Sequence, residues 1–413
     1  MMDDMIQKPN IPGSAPQEGQ AAPKGSGRKR PRFLVRLVLF LVALVMVLLA
    51  VAAVAFRDVL NLDSVKRWFT YRTLMLSDSG QADAFHYDGA LGDSFTVLGG
   101  DLLVCSQNAI SLYSGSGTRY VHETVSLDAP VVDSNGTLAV VYDAGGTSLY
   151  VLGQRELIFS STGFEPILSA HLNRSGQLTV VTQESGYRGS VTVYSSAYEA
   201  VASVRLSSAF VMDAALSDDG RTLSILTIGQ DNGSFSSQLS LYSLNSASAA
   251  ADEAREFRPD AVFDLGGNVI LQLRHTADRV WALGDKGMSV ISGGQSAYAD
   301  FSGRYLRAYD LSGDGFAAAL LGKYRAGSQA VLQIIDGEGV VSGSLELNEQ
   351  VLSLAAAGRY FAVLTGNRLD IYTSDLTLYA TLDGTQGARR VLLMPDGSAI
   401  LISSDTASYY VPN

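Results

Sequence analysis

Cysteine is nearly missing from this chain. Its 413 residues hold one, Cys105, inside the apolar run Leu102-Leu103-Val104-Cys105. A single thiol excludes an intrachain disulfide and any cysteine-built zinc site, and its apolar setting fits a small buried hydrophobe. Charge is also sparse, at 17% against about a quarter in an average globular chain. Proline is scarce, at 10, while glycine reaches 41. With 47% hydrophobic residues, that composition describes turns between strands around a large core, not a disordered polymer. The four histidines, His86, His122, His171 and His275, are isolated in sequence, so no clustered metal-ligand motif is present.

Reactive motifs are missing as well. There is no G-x-S-x-G nucleophile elbow and no Walker A loop. Gly92-Asp93-Ser94-Phe95 has the opening of a G-D-S-type esterase, but no Asp-x-x-His follows it. Residues 310–315 begin like a calcium loop, yet Leu321 stands at the twelfth position, where a bidentate Glu is needed. The sequence thus assigns no catalytic residue, no metal ligand and no cofactor.

What the chain does have is a repeat. A strand-like phrase ending on Tyr or Ile recurs eight times, closing at Tyr113, Tyr150, Tyr194, Tyr242, Ile291, Ile335, Tyr372 and Tyr410. A polar or glycine turn with an apolar run precedes each copy. A period near forty with strand chemistry predicts an all-β fold, a β-propeller of one four-stranded blade per repeat. Eight blades are counted, or seven if the weak fifth repeat around 280–291 is misread. The last repeat stops after its third strand, so the segment 82–87 is expected to supply the missing outer strand and close the ring.

Ahead of the propeller, Leu37 to Phe56 contain no charged side chain. Twenty residues in a helix span about 30 Å, the thickness of a bilayer's hydrocarbon core. The heavier basic flank, Arg28, Lys29, Arg30, Arg32 and Arg36, is N-terminal, which predicts a cytoplasmic N-terminus and an extracytoplasmic propeller. A cleaved signal peptide ending at Ala53-Val54-Ala55 is the alternative. The expected organisation is a disordered tail over 1–32, a transmembrane helix over 33–56, a juxtamembrane stalk over 57–80 and the propeller over 81–413. Val59, Leu62, Val65, Trp68 and Phe69 recur at helical spacing within the stalk. Trp68 and Phe69 are placed either at the lipid interface or against the propeller's underside.

Eight of the 30 basic and three of the 41 acidic residues fall within 1–57, leaving 22 basic and 38 acidic, a net −16, for 58–413. So acidic a domain lacks the basic footprint of a nucleic-acid binder.

The hairpins between second and third strands are longer in blades 3, 4 and 6, over 184–190, 229–237 and 322–328. In a propeller these hairpins share one face, and lengthened loops on one face of a repeat protein mark a binding surface. They offer Tyr187, Arg188, Asp231, Asn232, Phe235, Lys323, Tyr324 and Arg325, of which the aromatics and arginines are the types that anchor interfaces. Neutral loop drift is the competing reading.

With its basic tail, apolar segment, stalk and phrases such as Asn367-Arg368-Leu369-Asp370-Ile371-Tyr372, the chain resembles a family of uncharacterised membrane-anchored propellers of Gram-positive bacteria, domain of unknown function 5711. More broadly it resembles WD40, YVTN and pyrroloquinoline-quinone-type propellers. It lacks the Trp-Asp dipeptides of the first and, with only Trp68 and Trp281, the docking tryptophans of the last. The resemblance implies no catalytic residue. The expected function is an extracytoplasmic binding scaffold for an envelope protein, peptide or glycan. Alternatives are a glycan or cell-wall hydrolase or lyase, and an envelope sensor. Carboxylates or histidines converging on the channel would favour the enzyme; an exposed apolar-aromatic patch across blades 3, 4 and 6 would favour binding.

Overall fold

The computed structural model describes residues 37, 39–44, 46, 62–89, 92–153, 155–231, 233–244, 258–276 and 278–412. It separates into two units, 1–61 and 62–413. In the first, the described residues 37, 39–44 and 46 are helical and exposed. Most of the segment from Leu37 to Phe56, and the whole tail, lie outside the described residues. Among those described, no helix is long and apolar enough to cross a membrane.

The second unit is an eight-bladed β-propeller. Its blades, with strands lettered A to D from the channel outward, span 94–124, 130–161, 167–206, 210–264, 270–300, 305–347, 353–383 and 390–410. The fifth repeat is a full blade, which settles the count at eight.

Burial follows strand position. Strands B and C are covered on both faces by neighbouring blades, so they read as continuous apolar runs. Strand B of blade 1, Asp101–Cys105, and of blade 6, Phe316–Gly322, are buried at every residue. Strand D faces solvent on its outer side and alternates, as in Val341–Leu347. Apolar clusters fill the seams between successive blades all the way round, for instance Trp281, Leu283 and Met288 of blade 5 against Ala317, Ala319 and Leu321 of blade 6. Cys105 is buried in the seam between blades 1 and 2.

Closure occurs as the sequence suggests. Blade 8 supplies strands A to C, and Phe85–His86 pairs with its third strand through Phe85↔Ala407 and His86↔Thr406. Gly80 makes this possible: the Val411 amide donates to its carbonyl at 2.8 Å, and at φ +81° a Cβ would meet the Val411 oxygen at 2.2 Å.

A helix, α1 (Leu62–Tyr71), precedes the closing strand and packs on the propeller. Arg67, 2% exposed, donates to the Asp396 carbonyl and, at 2.7 Å, to the Tyr379 hydroxyl. The Tyr71 hydroxyl lies 2.8 Å from Ser398 Oγ. Asp63 pairs with Arg359 at 3.1 Å and accepts from the Tyr360 hydroxyl at 2.8 Å. Arg359 and Asp396 sit in the A–B turns of blades 7 and 8, so α1 is docked on the face that carries the A–B turns. Phe69 is exposed on this helix, and the side chain of Trp68 lies outside the described residues.

Candidate functional site

Strand direction alternates within a blade, so the B–C hairpins and the D–A links emerge on one face and the A–B and C–D turns on the other. The three long hairpins therefore occupy the face opposite α1. They differ in build. In blade 3, residues 183–188 form a loop between Leu178–Thr182 and Gly189–Tyr194. In blade 4, the expected loop is instead mostly strand: Thr222–Asp231 and Ser234–Ser243 keep pairing out to Gln230↔Phe235 and Asp231↔Ser234. Beyond the blade's edge the arms are Gly229-Gln230-Asp231 and Ser234-Phe235-Ser236, polar except for Phe235, and they stay paired residue for residue. In blade 6, residues 323–329 form a loop between Phe316–Gly322 and Ala330–Asp336.

The blade 3 residues lean on blade 4. Arg188 donates to the Ser207 carbonyl at 3.1 Å and stacks 4.6 Å over the ring of exposed Phe210, at the start of blade 4's strand A. Tyr187, 43% exposed, lies under Arg205, whose guanidinium also contacts both oxygens of Glu184 at 2.9 Å. Phe235 tips the blade 4 arm and is 68% exposed. Asp231 ends one arm; Asn232 lies outside the described residues. In blade 6, Lys323 stands 5.7 Å from the ring of exposed Tyr324, and Arg325 lies 5.6 Å over Tyr305. Arg307 braces this loop by donating to the carbonyls of Tyr324 and Gly327 at 2.8 Å and of Ala326 at 3.2 Å.

The sequence reading missed the partners of these residues. Phe210, Tyr305 and Arg307 lie on innermost strands, not on hairpins. Their signal was faint: each follows a D–A link, a position that the hairpin lengths do not mark. With them, the exposed aromatic-cationic surface spans blades 3, 4 and 6.

The channel holds a second group. His171 on strand A of blade 3 lies 2.9 Å from Asp213 of blade 4 and 3.4 Å from Asp133 of blade 2. Burial opposes the charged imidazole, but the Asp213 and Asp133 carboxylates outweigh it and hold His171 well above the usual histidine range. Burial likewise opposes the Asp133 carboxylate, and His171 reverses it, leaving Asp133 below its usual value. Both imidazole nitrogens are thus occupied by carboxylates, and neither is free to take a proton from a nucleophile. The group ties three innermost strands together. His275 contacts Ser224 Oγ at 2.9 Å, and Ser224 is fully buried, so that pair is closed to a substrate. The Ser94 hydroxyl donates to the Pro130 carbonyl at 2.9 Å.

Asp310 belongs to the A–B link of blade 6: its carboxylate accepts the amides of Ser312 at 2.7 Å and Ala356 at 2.9 Å. Among the described residues no group of His, Cys, Asp and Glu is arranged to hold a metal ion. A shallow depression of about 640 Å³ on the B–C face of blades 1 and 2 is lined by Asp93, Gln107, Asn108 and Asp128, with no histidine or basic residue.

A family described as "Family of unknown function (DUF5711)" matches residues 84–406. No curated protein matches the chain. Among solved structures, the C-terminal WD40 domain of Sif2 is similar at a TM-score of 0.54 and 11% identity, covering 81% of this chain and 99% of that one. A eukaryotic initiation factor is similar at 0.47 and 12%, covering 79% and 82%. The Cps50 (Swd1) propeller of Myceliophteria thermophila is similar at 0.44 and 11%, covering 70% and 99%. At these identities the likeness concerns the fold alone.

Proposed function

The chain belongs to the DUF5711 family, and from that premise we propose that it is a non-enzymatic scaffold whose B–C face holds a protein partner. The observation that carries the reading is the exposed aromatic-cationic surface of blades 3, 4 and 6, with Tyr187, Phe210, Phe235, Tyr305 and Tyr324 beside Arg188 and Arg325. Tyr and Arg concentrate binding energy because a large rigid contact surface orders at low entropic cost. The ring supplies the rigidity: apolar seams around the whole circle fix each blade against its neighbours. The channel group has no reactive nitrogen to offer, which weighs against the enzyme reading.

We place the propeller outside the cytoplasmic membrane, anchored through Leu37 to Phe56 with residues 1–32 in the cytoplasm. The charge asymmetry of the flanks supports that orientation. Helix α1 is docked on the A–B face, opposite the face that carries the long hairpins.

Photo-crosslinking in the native host tests both statements. A benzoylphenylalanine at Tyr187, Phe235 or Tyr324 is expected to give a protein adduct of one mass, and one at Leu378, on the other side of the blades, is expected to give none. Equal labelling from all four positions, or none from the first three, removes the scaffold reading. Protease added to intact spheroplasts is expected to digest the propeller; full protection removes the extracytoplasmic placement.

A further inference from the structure

Four consecutive blades share an irregularity that the other four lack. The A–B pairing skips one residue on the innermost strand in blade 3 between Ile167 and Ser169, in blade 4 between Val211 and Asp213, in blade 5 between Ile270 and Gln272, and in blade 6 between Leu306 and Ala308. In blades 1, 2, 7 and 8 the same ladder is regular. The skipped residues are Leu168, Met212, Leu271 and Arg307. A bulge of this kind bends its strand and re-aims the extra side chain, which is why bulges gather at sites that present a residue.

Each bulge falls within the first three residues of strand A, at the mouth of the channel on the B–C face. Three of the re-aimed side chains are apolar and open to solvent: Leu168 at 39%, Met212 at 44% and Leu271 at 50%. Their immediate neighbours Ile167, Val211 and Ile270 are buried. Phe210 and Val269, also exposed, extend the same arc. Folding gains nothing from three aliphatic side chains turned outward on adjacent blades, and a contiguous exposed apolar patch marks an interaction site. The fourth bulge carries a cation in place of an aliphatic residue.

Charge selects the occupant. On this face the start of strand A and the B–C hairpin of blade 6, residues 301–309 and 322–329, contain Arg304, Arg307, Lys323 and Arg325 and no acidic residue, within a domain whose net charge is −16; Glu346 and Glu349 lie farther out, at the end of strand D and in the link after it. A partner that lays apolar side chains on blades 3 to 5 meets a block of positive charge on blade 6, so its own charge there must be negative.

We propose that the channel mouth of blades 3 to 6 is a docking site for an acidic peptide segment of a partner protein, with apolar side chains seated on Leu168, Met212 and Leu271 and carboxylates against the blade 6 cations. This rests on the scaffold reading above and specifies its partner. Adaptable Met212 and the extended channel rim suit a linear segment better than a second globular surface.

The test uses the full chain in detergent and fluorescent twelve-residue peptides: alternating Leu and Glu, alternating Leu and Lys, and alternating Ser and Glu. Polarisation is expected to show saturable binding of the Leu–Glu peptide, at least tenfold tighter than the other two. The exposed-site variant Leu168→Ser/Met212→Ser/Leu271→Ser and, separately, Lys323→Glu/Arg325→Glu are expected to weaken it at least tenfold with unchanged thermal melting. Equal binding of the Leu–Lys peptide, full affinity in either variant, or no saturable binding at all overturns the proposal. Saturable binding of fluorescently labelled polygalacturonate, with no peptide binding, overturns it too, in favour of an acidic glycan. If peptides fail while crosslinks at Phe235 and Tyr324 persist, only the acidic-peptide assignment falls; if both fail, the scaffold reading falls with it.

Discussion

His171 Nε2 stands 2.9 Å from Asp213 Oδ1, and the two residues belong to the innermost strands of neighbouring blades. With Asp133 on the other side, the imidazole is a charged rivet through three blades rather than a base awaiting a substrate.

The rivet has a pH signature. The unfolded value of histidine is about 6.5, and the folded value of His171 is higher, so its contribution is complete below about pH 6.5 and is lost as pH rises through the folded value. Asp133 is shifted down, so its contribution is complete above about pH 4 and is lost as pH falls through its folded value. The stability advantage of the native chain over His171→Gln in urea melts is therefore greatest between about pH 4 and 6.5. It shrinks at alkaline pH. An advantage that grows between about pH 6.5 and 9 contradicts a charged His171.

His275 behaves in the opposite sense. Burial holds it below the usual histidine range, with a hydrogen bond to the Ala215 backbone working against the shift. On acidification the unfolded chain takes up this proton first, so stability is lost as pH falls from about 6.5 to the folded value. His275→Gln is expected to narrow the gap in melting temperature between about pH 7 and pH 5. A gap as wide as in the native chain shows that His275 does not contribute to acid lability.

Arg67→Ala removes the donor to the Asp396 carbonyl and the Tyr379 hydroxyl from a nearly closed site. The expected cost is about 2–3 kcal/mol, seen as a lower denaturation midpoint and as early proteolysis within α1. Unchanged proteolysis of α1 would mean that the helix is held by its other contacts alone.

Arg307→Met leaves three blade 6 carbonyls without their donor. Losing about 1 kcal/mol of local order raises the open population about fivefold, so trypsin is expected to cut after Lys323 and Arg325 about five times faster. The rest of the digest should be unaffected.

The propeller was readable because its period is carried by strand C, whose closing Tyr or Ile recurs in every blade, and because strands B and C are covered on both faces and so spell continuous apolar runs. The closing strand was readable by counting: blade 8 lacked its fourth strand and residues 82–87 were unassigned. Strand A carried less. It mixes channel-facing polar residues with buried ones, and its bulges arise from pairing with strand B, which no single stretch of sequence displays. Asp133, His171 and Asp213 did leave a trace, one charged or titratable residue 38 and 42 positions on from the last. That spacing is the blade period, but isolated histidines do not announce neighbours a blade away. The blade 4 hairpin was located by its length and misread in form, because its extra residues pair out to Asp231↔Ser234.

Docking of α1 also decides how the ring bears load. The chain enters through α1, crosses the underside and only then reaches Phe85–His86, which closes the circle with two paired residues. Tension on the N-terminal side of Leu62 therefore falls first on Arg67, Tyr71 and Asp63. The helix acts as a strain relief for the closing strand, so the circle can stay shut while the chain is pulled.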